Sequence, residues 1–296
     1  MRNYYLLLGL LIAGIVAFFT IYGPSLSFID SELKGDRIIF LDSGKFEIAP
    51  FPPSKTFPLG SDRDGRDLLS LIVVGAKETF ILIFLIVLLR YIIAVPLGLL
   101  GMKNKGLISW INKWWNQLFS SFPLIFITAL VLTLPFLLFH EQRYYWTIVI
   151  IALIEVGRVS YIIQQEAYNL SKKPFIEAGV TLGLNPYKMM ISNYFPNLFP
   201  SIIVNLFIDA GRVAMLIGQL AVINIFLSQE LVQLAHGYSE IINTSADWPS
   251  LIREARKDVI TAFWIPFFPM LAIVISTLTF NLLGEGMRHH LNRHFY

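Results

Sequence analysis

The sequence predicts an all-α integral membrane protein with about six transmembrane helices. Composition is the first reason. Hydrophobic residues make up 55% of the 296 positions and charged residues only 15%, whereas soluble domains carry about 25% charged residues. The second reason is a series of apolar runs, each near the roughly 20 residues that a helix needs to cross the hydrocarbon core. The third is a biased placement of Lys and Arg between those runs.

The runs fall at 4–22, 79–101, 118–139, 145–165, 201–227 and 262–284. The first resembles the apolar part of a secretory signal, but Thr20-Ile21-Tyr22-Gly23 is too bulky for a cleavage site, so a retained anchor is expected. With the N-terminus inside, Lys103, Lys105, Lys113, Lys172, Lys173, Lys188, Arg288 and Arg293 are also inside, against Arg143 in the short opposite loop 140–144. That asymmetry puts both termini in the cytoplasm. In the outer segment 23–70, Asp36 to Phe40 and Lys45 to Ile48 read as short strands around an Asp42-Ser43-Gly44 turn. The outer segment 228–261 reads as partly helical, with Trp248-Pro249 as an internal break.

Composition also excludes functions. There is no cysteine, hence no disulfide, thiolate metal site or cysteine nucleophile. A net charge of +3 is too small to suggest nucleic acid. No phosphate-binding Gly-rich loop is present, so the sequence carries no ATP-binding motif of its own. His289, His290 and His294 read as a basic end flanking a span rather than a metal site. No catalytic constellation stands out.

The polar island at 171–200 has a shape of its own. Pro174 suits the first position of a helix, where no N–H donor is needed. Ile176 and Val180 are an apolar pair at i, i+4 spacing. Gly183 suits a left-handed stop, and Asn185-Pro186 reads as an N-cap followed by a second helix start. Pro196 is expected to end or kink that second helix. Local pattern alone leaves an interfacial connector as an alternative.

Glu177-Ala178-Gly179-Val180-Thr181-Leu182-Gly183, with Pro196-Asn197 and Pro200 following, resembles the cytoplasmic coupling loop of ABC importer permeases, in the oligopeptide/dipeptide/nickel branch. Gly179 stands where the family usually has a second Ala, and Asn193-Tyr194-Phe195 where the branch prefers His-Ile-Leu. The segment from Phe57 to Ser70 resembles a second motif of that branch, with Gly60, Asp62, Gly65, Arg66 and Asp67 at matching places. Asp247-Trp248-Pro249, Phe267 to Ile273 and Phe280 to Arg288 resemble three more. Their order is similar to that of the C-type member of the two paired permeases.

The resemblance implies a type I importer bundle with a cytoplasmic coupling helix in the cell membrane. Residues 1–70 would form an anchor helix plus an extracytoplasmic segment. Residues 71–296 would form the permease domain, with its coupling loop at 166–200. Expected partners are a homologous second permease, two ATP-binding subunits, an extracytoplasmic solute-binding protein and the lipid bilayer. ATP and Mg would sit on those partners, with no cofactor on this chain. The expected cargo is di- or oligopeptides, with nickel or other metal chelates as an alternative within the branch. A stand-alone ion-coupled transporter using Asp209, Glu155 and Arg90 is the alternative outside it.

Two motifs keep two readings each. Gly60 and Gly65 allow tight turns, and Asp62, Arg66 and Asp67 suit an ion-pair and N-cap network, so 57–70 is either a rigid helix entry or a contact for binding protein or solute. In the fifth span, Asn205, Asp209, Arg212 and Gln219 cluster within about 80° of one face. They either glue helices together or line the translocation path. Asp209 and Arg212 are one turn apart and suited to pair, Glu155 and Arg158 repeat that spacing, and Arg90 stands alone in its span. The span's end, Gln219 to Phe226, departs from the Glu-containing segment usual in the branch.

Overall fold

A computed structural model describes residues 3–40, 46–138, 140, 142–233, 239–243, 245–253 and 255–292. The expected Asp42-Ser43-Gly44 turn, Arg293 and His294 lie outside the described residues. The chain forms a helical bundle with two small hairpins at one end. The elements are α1 (Tyr4–Tyr22), β1 (Ile38–Phe40), β2 (Phe46–Ile48), α2 (Leu68–Leu100), α3 (Leu107–Ser120), α4 (Leu124–Leu132), α5 (Pro135–Leu138), α6 (Arg143–Ile154), α7 (Val156–Ser171), α8 (Pro174–Thr181) and α9 (Pro186–Met189). A π-turn (Met190–Tyr194) leads into α10 (Phe195–Val222). Then come β3 (Gln229–Gln233), β4 (Ser239–Asn243), α11 (Trp248–Leu251), α12 (Ala255–Thr261) and α13 (Trp264–Asn292).

Five helical stretches are long and apolar enough to cross a membrane: Tyr4–Ser25, Leu68–Leu100, Arg143–Ser171, Pro186–Val222 and Trp264–Leu291. The expected third span, 118–139, is not one helix. Its first part belongs to α3, which meets α4 at 92°, and the bent pair counts as a sixth span only if taken together. The cause is local. Pro123 has no N–H to continue the ladder, and Ser120 and Ser121 turn their hydroxyls back onto the carbonyls of Asn116 and Gln117. A second stop follows at Thr133-Leu134 before Pro135.

Other boundaries move for equally local reasons. α2 starts eleven residues before the expected 79 because Asp67 caps it, accepting from the Ser70 N–H at 2.8 Å. The expected domain boundary at 70/71 therefore falls inside α2. α10 stops at Val222 rather than 227. Asn224 adopts φ +59 there, and Ile225 N–H returns to Leu220 O at 2.9 Å, a Schellman-type stop with Asn in the left-handed position. Trp248-Pro249 starts a helix rather than breaking one, because Asp247 accepts from the Ser250 N–H and Pro249 sits in the first turn. The β3–β4 hairpin, paired from Gln229↔Asn243 to Gln233↔Ser239, was not expected from the sequence.

The bundle is held by close backbone approach and buried polar pairs. α1 lies along α13, with Asn3 donating to Gly286 O at 2.5 Å. A Cβ on Gly286 would stand 2.6 Å from the Cα of Leu6, so only glycine lets the two backbones meet. α2 meets α7 at Gly98, where a Cβ would reach 2.7 Å from Ile163. Asn112 of α3 donates to Leu97 O and to Gln164 Oε1 at 2.8 Å, and Gln164 donates to Ser109 and Asn104, which pins α3 across the α2–α7 pair. Arg143, the basic residue of the short loop, is buried and donates to the carbonyls of Leu132 and Phe226.

Asn3 meets Gly286 and Tyr5 stacks on His289, so both ends of the described chain lie at one end of the bundle, where Glu166 of α7 meets Ser201 of α10 and the loop 172–194 joins these two helices. Described residues of the segments before α2 and before α13 meet at the other, through Arg63–Asp258 and Trp264–Ser61.

Candidate functional site

Three places carry the polar residues singled out above. The first is the loop from Lys172 to Pro196. α8 begins with Pro174 at its first position and ends on a complete Schellman motif. Gly183 takes φ +70, its N–H meets Val180 O at 3.0 Å, and Leu184 N–H reaches Gly179 O at 3.1 Å. Asn185 then caps α9, accepting from the Tyr187 N–H at 2.9 Å. Pro196 does not end this second helix. The π-turn, closed by Phe195 N–H to Met190 O, absorbs the register change, and the helix runs on as α10 with Pro196 in its first turn. α9, the π-turn and α10 thus form one stretch, Pro186–Val222.

The loop is anchored on one side and bare on the other. Ile176, Gly179, Met189, Tyr194 and Leu198 are buried. A Cβ on Gly179 would stand 3.3 Å from Leu184 and 3.4 Å from Met189, so the glycine makes room for the returning chain. Leu182 is 81% exposed, Tyr187 66% and Val180 64%. Val180 therefore does not share the buried side with Ile176, its expected partner. Glu177 and Ala178 are exposed, and Glu177 forms no ion pair with any described residue. The loop thus leaves Val180, Leu182 and Tyr187 bare, together with Glu177, Lys172, Lys173 and Lys188.

The second place is the turn before α2. Gly60 and Gly65 adopt φ +82 and +80. A Cβ on Gly65 would stand 2.1 Å from Asp36 O, and one on Gly60 2.5 Å from the Trp264 ring. Asp62 accepts from the N–H groups of Asp64 and Arg66 at 2.9 Å each and from Arg66 Nε at 2.8 Å. Arg63 pairs with the buried Asp258 at 2.5 Å, and Trp264 Nε1 donates to Ser61 O at 3.1 Å. The motif is thus a clamp that ties the entry of α2 to α12 and α13.

The third place is the middle of the bundle. The helix α6–α7 breaks at Glu155, whose N–H turns to Leu153 O, so Ile151 O loses its usual i+4 donor. Arg90 of α2 supplies a replacement. Its Nη2 donates to Ile151 O at 3.0 Å and its Nε approaches Ala152 O at 3.4 Å. Its Nη1 pairs with Asp209 Oδ2 of α10 at 2.8 Å. Asp209 Oδ1 takes Arg158, which also pairs with Glu155 at 2.7 Å. Arg90 and Asp209 are 1% and 2% exposed in their side chains. Two cations and two anions cancel, as burial in a low dielectric requires.

This geometry corrects the expected Asp209–Arg212 pairing and gives Arg90, the one charge of the run 79–101, its partners on other helices. Asp209 does not pair with Arg212, since both its oxygens are taken by arginines of other helices. Asp209 is also buried, so it faces no open path in this structure. Arg212 is exposed, while Asn205 and Gln219 are half-buried, with Asn205 linked through Ser201 to Glu166 of α7. The sequence singled out each charge of the cluster but carried no signal for the carbonyls of Ile151 and Ala152.

Comparison with known proteins adds the family. The model of the binding-protein-dependent transport system inner membrane component matches residues 91–295. The chain belongs to this family. It therefore is a multi-pass ABC importer permease, an all-α membrane protein that works with ATPase and binding-protein partners. The match begins one residue after Arg90 and takes in the loop, Glu155, Arg158 and Asp209. Among curated relatives of this permease family, the probable D,D-dipeptide transport system permease protein of Escherichia coli is 24% identical over 241 residues, 81% of this chain and 74% of the relative. The glutathione transport system permease protein of Pectobacterium atrosepticum is 25% identical over 240 residues, 81% of this chain and 73% of the relative.

Proposed function

We propose that this permease carries di- or oligopeptides inward across the cell membrane by alternating access, driven through the loop 172–196. The observation that carries the reading is the tip of that loop: a rigidly capped helix pair presenting Leu182, Tyr187, Val180 and Glu177 outward, continuous with α10. Both termini and the loop lie on the cytoplasmic side, in keeping with the basic residues of that end. The tip seats in one of two ATP-binding subunits, which hold ATP and Mg. A second permease subunit completes the pathway, and a binding protein delivers solute to the opposite end. Peptide cargo is supported by relatives named for D,D-dipeptides and glutathione.

The mechanism follows from connectivity. Closure of the ATPase pair moves the tip, and α9, the π-turn and α10 transmit that movement along one helical stretch. α10 is bound through Asp209 to α2 and to the broken helix α6–α7, so these elements move with it. Gly60, Gly65 and the Asp62–Arg66 pair keep the entry of α2 fixed at the outer end, with Asp67 capping the helix.

Mild-detergent purification of the tagged chain tests this reading. An ATP-binding subunit and a second permease should co-purify, and the complex with its binding protein should take up dipeptide in an ATP-dependent manner. Recovery of the chain without an ATPase, with uptake that follows an ion gradient instead, would sink it.

A further inference from the structure

We infer that Arg212 is a specificity-determining residue of the pathway, the counter-charge for the free carboxylate of the translocated peptide. The inference deepens the reading of the chain as a peptide permease and rests on it.

The observation is an arginine without a partner where one is needed. Arg212 is ten residues from the end of α10 at Val222, roughly 15 Å at 1.5 Å per residue. That depth is too great for its side chain to reach the bilayer surface. Arg212 is nevertheless exposed and makes no hydrogen bond or ion pair with any described residue. The nearest acid along its helix, Asp209, has one oxygen on Arg90 and the other on Arg158. The mid-bundle cluster is neutral without Arg212, which leaves one uncompensated positive charge. A guanidinium in this position does not face lipid tails. It faces water, or an anion, supplied from outside the chain.

The surroundings favour a moving anion over a fixed one. Asn205, Arg212 and Gln219 recur every seven residues along α10, a row of polar groups about 21 Å long. Ile208 and Met215 lie between them and Val222 just beyond, on the same side, within about a 100° arc. A single ion pair with a neighbouring subunit needs one site, whereas this row runs through half the membrane. A guanidinium binds a carboxylate in a bidentate, directional manner. Every linear peptide with a free C-terminus offers that group.

The test uses the assembled complex in proteoliposomes. With a dipeptide saturating the binding protein, R212Q should lower ATP-driven turnover by about tenfold, the equivalent of about 1.4 kcal/mol. R212K should retain a larger share, and both complexes should assemble normally. The chain has no cysteine, so R212C gives this subunit a single thiol. That thiol should react with a water-soluble methanethiosulfonate. Dipeptide added without binding protein should slow the reaction, and its C-terminal amide should not. Absence of dipeptide uptake by the wild-type complex would overturn the proposed function itself. Wild-type uptake with unchanged R212Q turnover would overturn only the role of Arg212. So would a thiol closed to the reagent, or equal protection by acid and amide. Loss of the second permease from the R212Q complex would assign Arg212 to a carboxylate of that subunit and overturn the inference.

Discussion

The mid-bundle ion cluster and the tip of the loop 172–196 are both polar interruptions of an apolar chain, yet they are built in opposite ways. In the cluster, four charges from three helical stretches satisfy one another and two backbone carbonyls, and Arg90 and Asp209 are almost wholly withdrawn from solvent. At the tip, the end of α8 and the start of α9 are capped internally while Glu177, Leu182 and Tyr187 are left outward. The contrast teaches that polarity in an apolar chain does not by itself mark function. A charge with matched partners holds the fold, and a group left unmatched on a rigid frame is available to something else.

Single substitutions should separate the two regions. The largest effect is expected at the cluster. R90L or D209L leaves a buried opposite charge, which costs about 3–5 kcal/mol, seen as a lower unfolding temperature of the detergent-solubilised complex. The double variant R90L/D209L keeps the Arg158–Glu155 pair and should recover much of the loss. Additive losses in the double-mutant cycle would break the view of a coupled cluster.

L182D at the tip should leave the unfolding temperature nearly unchanged, because exposed sites shift stability by only about 0.5 kcal/mol. ATP-driven uptake should fall by about tenfold or more, the loss expected of an interface anchor. A falling unfolding temperature with normal uptake would place Leu182 with the cluster instead. G183A is smaller. A left-handed residue with a side chain costs about 1–2 kcal/mol, and this cost should appear as faster hydrogen exchange at 182–185 and weaker coupling, not as unfolding of the bundle.

The smallest effect sharpens the comparison outside the spans. Burial pushes the Asp247 carboxyl above the usual carboxylate range, against hydrogen bonds from Ser250 and Ser245 that pull it down. A carboxyl with a raised folded pKa binds more protons folded than unfolded. Its contribution therefore favours folding increasingly as pH falls from the raised value toward the ordinary one. D247N keeps an acceptor for the Ser250 N–H and should flatten that dependence in pH-resolved thermal unfolding. D247A also loses the cap, about 1 kcal/mol.

Much of this was legible in the residues. Pro174, Gly183, Asn185 and Pro186 act locally, through missing donors, left-handed backbone and short-range caps, so the tip's shape follows from neighbours in the chain. The same holds for Gly60, Gly65 and the Asp67 cap. The extent of the third apolar run misled because hydropathy records length and not the stops at Pro123 and Pro135. Pro196 misled because the π-turn before it relieves the register that proline would otherwise break.

The sequence by itself determined the membrane class, the family motifs, the caps and the turn chemistry, all of which depend on residues within a few positions of each other. Only the tertiary structure decided which charges are partners. Asp209 had Arg212 one turn away, yet it is held by Arg90 and Arg158, 119 and 51 positions distant. Burial makes an ion's cost depend on every helix packed around it, and that arrangement is not written in any local stretch of the chain.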